Sequence, residues 1–232
     1  MCPCALMLDF GKDMSLVKGP VRVIVMADDY SLEDSLSLPE SGVIGLNVPR
    51  KPELGVAAAY VPGESSFGAG GVIIPLGHQF LELYHSYNRL SSDAESCKLD
   101  ADLKKNFCRL KITLVSNESL SDSEFYIEGT TCGVSMEGIP LRGPFKYKAD
   151  FGEDDVAMVI LPRQADDSLQ LTTRASGDIV QSFCIGKYIS QTGYDWNAPD
   201  LGDVEILIDY AHSDITVTVA QWEKVFSFDV VI

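Results

Sequence analysis

DLGDVEILIDYAHSDITVTVAQWEKVFSFDVVI, residues 200–232, decides how this chain folds. Val204, Ile206, Ile208 and Tyr210 alternate with Glu205, Leu207 and Asp209. Ile215, Val217 and Val219 alternate with Thr216, Thr218 and Ala220, and Phe226, Phe228, Val230 and Ile232 alternate with Val225, Ser227, Asp229 and Val231. A period of two sends successive side chains to opposite faces of a pleated strand, so the stretch predicts strands in succession.

Working outward, the same period recurs at Leu110–Leu114, Phe125–Glu128 and Leu169–Thr172. Four earlier runs, VRVIVMA (21–27), GVIGLNV (42–48), LGVAAAYV (54–61) and GVIIPL (71–76), are bounded by Gly, Pro and Ser and read as strands. Helical signals are few. Ile185, Tyr188 and Ile189 fall at helical spacing with Gly193 as a stop, which predicts one short helix; Leu76–Leu90 and Ala101–Leu110 are ambiguous. Many short strands with so little helix predict an all-β protein of the sandwich type. The polar stretch SSDAESCKLDAD (91–102) is the expected boundary between two domains, 1–97 and 98–232.

Composition narrows function. Thirty-four acidic against eighteen basic residues give a net charge of −16 with no compensating Lys/Arg cluster, so nucleic acid is not an expected partner. No apolar run approaches the roughly 18–20 residues that span a bilayer. With Met1 directly before Cys2, the chain reads as a form whose targeting segment is not included.

Six cysteines, Cys2, Cys4, Cys97, Cys108, Cys132 and Cys184, allow fifteen pairings and form no CxxC. Cys2 and Cys4 lie two apart, so in an extended strand their Cα atoms are roughly 6.5–7 Å apart. That is at or beyond the reach of a disulfide. Pro3 lacks a donor and suits the first residues of an edge strand.

Tests for chemistry return little. His78, His85 and His212 are scattered, and no GxSxG or zinc spacing occurs. In GYDWNAPDLGD (193–203), Asp195, Asp200 and Asp203 do not follow an EF-hand spacing; turn hydrogen bonds, with Tyr194 and Trp196 packed against a sheet, are expected instead. GAGG (68–71) precedes a strand, not a helix, and predicts a hairpin rather than a phosphate site. Arg163 is expected in an ordinary ion pair. The chain therefore reads as non-enzymatic, with no cofactor and no metal.

Several segments together resemble the Bacteroides-type fimbrial anchor proteins, relatives of the fimbrillins. They are CPCALMLDF (2–10), LKKNFCRLKITLV (103–115), FYIEGTTCGVSMEG (125–138), VILPRQADDSLQL (159–171), IGKYISQTGYDW (185–196) and the terminal stretch quoted first. The likeness covers most of 103–232 and, more weakly, 2–30 and 71–90; residues 31–70 match nothing in it.

The resemblance implies two tandem transthyretin-like β-sandwich domains in a surface-exposed lipoprotein of the outer membrane. Its partners would be other fimbrial subunits, joined by strand addition. The lipid-bearing residue would be Cys2 with its leader removed, or a cysteine further upstream. Phe226, Phe228, Val230 and Ile232 are the candidate partner-strand residues; the plainer alternative is that they are core residues of the last strand. A second reading is a carbohydrate- or glycoprotein-binding module in which Tyr194, Trp196 or Trp222 stacks on a sugar from an exposed loop.

Overall fold

The computed structural model describes residues 3–11, 13–62, 68, 70–116, 123–176, 178–209, 214–219 and 225–229. Among them the chain is almost entirely β, with one helix, and divides into two compact units. The first comprises residues 1–72, 82–106 and 134–139; the second comprises 73–81, 107–133 and 140–232.

The first half of the chain carries β1 (Cys4–Asp9), β2 (Pro20–Ala27), β3 (Tyr30–Ser37), β4 (Val43–Val48), β5 (Leu54–Tyr60), β6 (Val72–Ile73), β7 (Tyr84–Leu90), β8 (Ser96–Asp100) and β9 (Lys104–Lys105). One sheet runs β4-β1-β8 and the other β3-β2-β5-β7-β9. Alternation explains the core between them. Cys4, Leu6, Leu8 and Phe10 point inward from the first strand and meet Val21, Val23 and Val25 of β2 and Leu54, Val56, Ala58 and Tyr60 of β5.

β1 is the middle strand of its sheet, antiparallel to β4 and parallel to β8. The expectation of an edge strand at Pro3 is therefore corrected. Pro3 stops short of the ladder, whose first paired residue is Cys4, so its missing N–H costs no sheet hydrogen bond. The polar stretch 91–102 lies within this unit and supplies β8.

The remainder carries β10 (Phe107–Val115), β11 (Ser123–Val134), β12 (Pro140–Ala149), β13 (Val156–Pro162), β14 (Gln170–Ala175), β15 (Asp178–Phe183), α1 (Ile185–Gln191), β16 (Val204–Asp209), β17 (Asp214–Val219) and β18 (Val225–Asp229). The sheets are β13-β10-β16-β17-β18 and β12-β11-β14-β15. Leu110, Ile112, Val159, Leu161, Ile127, Leu171, Val204, Ile206 and Val217 are fully or almost fully buried.

The single helix lies where spacing predicts it. Ile185 and Ile189 are buried, the Thr192 hydroxyl donates to Ile189 O at 2.7 Å, and Gly193 takes the left-handed φ of +82° that ends the helix. The ambiguous stretches resolve largely to strand, as β7, β9 and the start of β10. GVIIPL shrinks to the two residues of β6, which pair with β11; the Ile74 N–H adds one more bond to β11 at Cys132 O (2.8 Å) before Pro75, which has no N–H to give.

Candidate functional site

The candidate partner-strand residues lie on β18, the last strand of a five-stranded sheet. It pairs antiparallel with β17, Phe226 opposite Val217 and Phe228 opposite Ile215. Phe226 and Phe228 are half-buried and the intervening Ser227 is exposed, as alternation requires. The Phe228 ring lies 5.2 Å from that of Tyr188 on α1, tilted by 45°, a packing distance for aromatic pairs. In the sequence Tyr188 marks only a helical spacing; its contact with Phe228 has no sequence signal. On its other side β18 has no neighbouring strand among the described residues. Val230, Ile232, Cys2 and Trp222 lie outside the described residues.

Two other edges are defended or irregular. β3 presents Glu33 and Asp34, and Arg22 of β2 is ion-paired to Glu33. Charge on an edge discourages indiscriminate pairing. β15 carries the exposed Ile179, but its register against β14 shifts between Thr173 and Arg174. Such a bulge interrupts the even ladder an added strand would extend.

The loop 193–203 closes on itself. Tyr194 and Trp196 are each only 8% exposed and pack edge to face with centroids 4.7 Å apart. Tyr194 donates its hydroxyl hydrogen to Gly202 O at 2.7 Å, and burial pushes its ionisation far above the ordinary value. Neither aromatic therefore offers a shelf to a sugar, which removes these two residues from the carbohydrate reading.

Arg163 reaches the backbone of this loop. Its guanidinium donates to the Trp196 carbonyl, and burial lowers its pKa against the opposing pull of Tyr194, Asp195 and Asp200. Asp195 accepts the Asn197 N–H at 2.8 Å, and Asp203 accepts the Arg109 N–H at 2.9 Å. Both carboxylates thus serve the loop backbone and the start of β10. At GAGG, the Gly71 N–H donates to Gly68 O at 2.8 Å and Gly71 has a φ of +82°, which is the geometry of a tight turn.

A cleft in the first unit is lined by Asp29, Lys51, Glu53, Tyr87 and Arg89. Both of its cations are paired within it: Lys51 pairs with Asp29 at 2.5 Å and Arg89 with Glu53 at 3.0 Å, while Arg89 Nε donates to the Tyr87 hydroxyl at 3.1 Å. No helix among the described residues is long and apolar enough to cross a membrane.

No protein-family profile and no curated protein matches the chain. Solved structures do. A candidate adhesin from Bacteroides ovatus is similar with a TM-score of 0.65 at 15% identity, over 98% of this chain and 96% of that one. Candidate polysaccharide-binding proteins from Bacteroides thetaiotaomicron VPI-5482 give 0.67 at 11%, over 97% and 98%. The fimbrial anchor protein Mfa2 from Porphyromonas gingivalis gives 0.61 at 10%, over 95% and 98%. These identities carry the fold, and they do so along the whole length: the chain has the all-β sandwich fold of those adhesin-like and fimbrial proteins.

Proposed function

We propose that this protein is a non-enzymatic subunit of a cell-surface fimbrium, an anchor or another minor subunit, which takes part in adhesion. It joins its neighbours by β-strand addition. The observation that carries the reading is the near end-to-end match to a fimbrial anchor protein. The outer side of β18, which has no neighbouring strand among the described residues, supports the mode of assembly, because an extended segment laid along it would gain main-chain hydrogen bonds and take its register from alternate side chains. Outer-membrane attachment through Cys2, or through a cysteine upstream of it, belongs to the same proposal.

Two measurements test it. The protein should co-sediment with fimbriae sheared from cells that produce it; a protein absent from that fraction removes the proposal. Deleting residues 225–232 should leave a folded protein by circular dichroism that no longer enters fimbriae. An unfolded deletion variant would instead make Phe226 and Phe228 core residues and nothing more.

A further inference from the structure

Cys4 Sγ and Cys97 Sγ lie 3.3 Å apart although the residues are 93 positions apart in sequence. The sheet brings them together. In the parallel ladder of β1 with β8, Ala5 pairs with Ser96 and Leu6 with Cys97, so Cys4 stands diagonally across from Cys97 on the same face. Both thiols point into the core side of the first unit, Cys4 fully buried and Cys97 half-buried against the same cluster.

The second unit supplies an internal comparison. β10 and β16 repeat this ladder, with Leu110 opposite Val204, and Cys108 stands two residues before Leu110 as Cys4 stands two before Leu6. There the diagonal position is held by Val204. The first unit thus has two thiols where the second has one.

We propose that Cys4 and Cys97 form a disulfide that fastens the first strand to β8. A disulfide has its sulfurs about 2.05 Å apart, so closure needs the two sulfurs to approach by little more than an ångström; diagonal neighbours have their Cα atoms about 7–8 Å apart, so the two strands must also draw together. The oxidant is a second disulfide, such as that of an oxidised dithiol oxidoreductase or of oxidised glutathione. Cys97, the accessible member, loses its proton and attacks one sulfur of that disulfide, expelling a thiolate and forming a mixed disulfide. Cys4 then loses its proton and attacks Cys97 Sγ, expelling the second thiolate. The two protons pass to the expelled thiolates; the cysteine pair is oxidised by two electrons and the partner disulfide is reduced to two thiols. Burial and the neighbouring Cys4 raise the Cys97 thiol to about 11, so uncatalysed closure is slow at neutral pH and quickens as pH rises towards that value.

The experiment purifies the full chain without reductant, incubates it with oxidised glutathione, quenches it in acid, and alkylates it under denaturing conditions. Cys2 and Cys4 share a tryptic peptide, so a Cys2→Ser variant is mapped alongside the native chain. The expected species is lighter by two hydrogens than the reduced protein, with the peptides bearing Cys4 and Cys97 cross-linked and Cys108 alkylated. Adding reductant should lower the melting midpoint by on the order of 10 °C, because a bond closing so long a loop constrains the unfolded chain. The Cys4→Ser and Cys97→Ser variants should show no such reductant effect. Full alkylation of both Cys4 and Cys97 after oxidation overturns the proposal, as does a link from Cys97 to any other cysteine.

Discussion

β8 ends its sheet in the first unit, whereas β16, which holds the same place beside β10, continues into β17 and β18. Up to that point the two units follow one plan. In each, the opening strand (β1 or β10) lies between an antiparallel neighbour (β4 or β13) and a parallel one (β8 or β16). In each, the opposing sheet runs in matching order, β3-β2-β5-β7 and β12-β11-β14-β15. The units differ in the hairpin added at the end and in the helix before β16. Strand order can repeat without sequence repeating, because it depends on where apolar faces fall and not on which apolar residues fill them.

The difference has energetic content. Leu99 on β8 and Ile206 on β16 occupy matching register positions, opposite Leu8 and Ile112. Ile206 is 1% exposed and flanked on both sides, whereas Leu99 is only partly buried. The Ile206→Ala variant should lose about 2–5 kcal/mol by chemical denaturation, from lost burial and the cavity left behind. The Leu99→Ala variant should lose about 1–2 kcal/mol, since a half-exposed side chain gives up less area. Equal losses would break the comparison and place another element over β8.

Next in size is the helix that, among the described residues, only the second unit carries. Gly193 has φ +82°, so a Gly193→Ala variant should lose about 1 kcal/mol in the same assay. An unchanged midpoint would mean the helix end carries no strain.

The smallest effect concerns the polar network on β11–β14. Asp166 accepts the Arg142 guanidinium at 2.7 Å, the Ser168 N–H at 3.1 Å and the Thr130 hydroxyl at 3.0 Å. Hydrogen bonding from Ser168 foremost, with Arg142 and Thr130 behind it, holds its carboxyl down at about 2 against an ordinary 3.8. A depressed carboxyl adds stability that is fully present above the ordinary value and is lost as pH falls towards 2. The Asp166→Asn variant should therefore melt a few degrees lower at pH 7 and differ less from the native chain at pH 2. A constant gap across that range would remove Asp166 as the titrating group.

Much of this fold was legible along the chain where one face is apolar and the other polar. β16 and β17 alternate cleanly, and α1 announces itself by Ile185, Ile189 and Gly193. Strands β3 and β8 were not legible. Their sequences, YSLEDSLS and SCKLD, are largely polar because each sits at a sheet edge and buries little. Of the candidate site, the alternation that half-buries Phe226 and Phe228 could be read directly. The Tyr188 ring beside Phe228, and the turning of Tyr194 and Trp196 inward, could not, because both depend on which element the loop folds against.

The sequence by itself determined strand after strand and the strongly acidic net charge of −16, since period and net charge are properties of neighbouring residues and of their sum. Only the tertiary structure decided that the first strand lies mid-sheet, that its parallel partner comes some ninety residues later, and that Cys4 meets Cys97. Parallel pairing has no local turn to mark it; the register is set by burying Leu6, Leu8, Cys97 and Leu99 against one core, a condition that no short window of sequence contains.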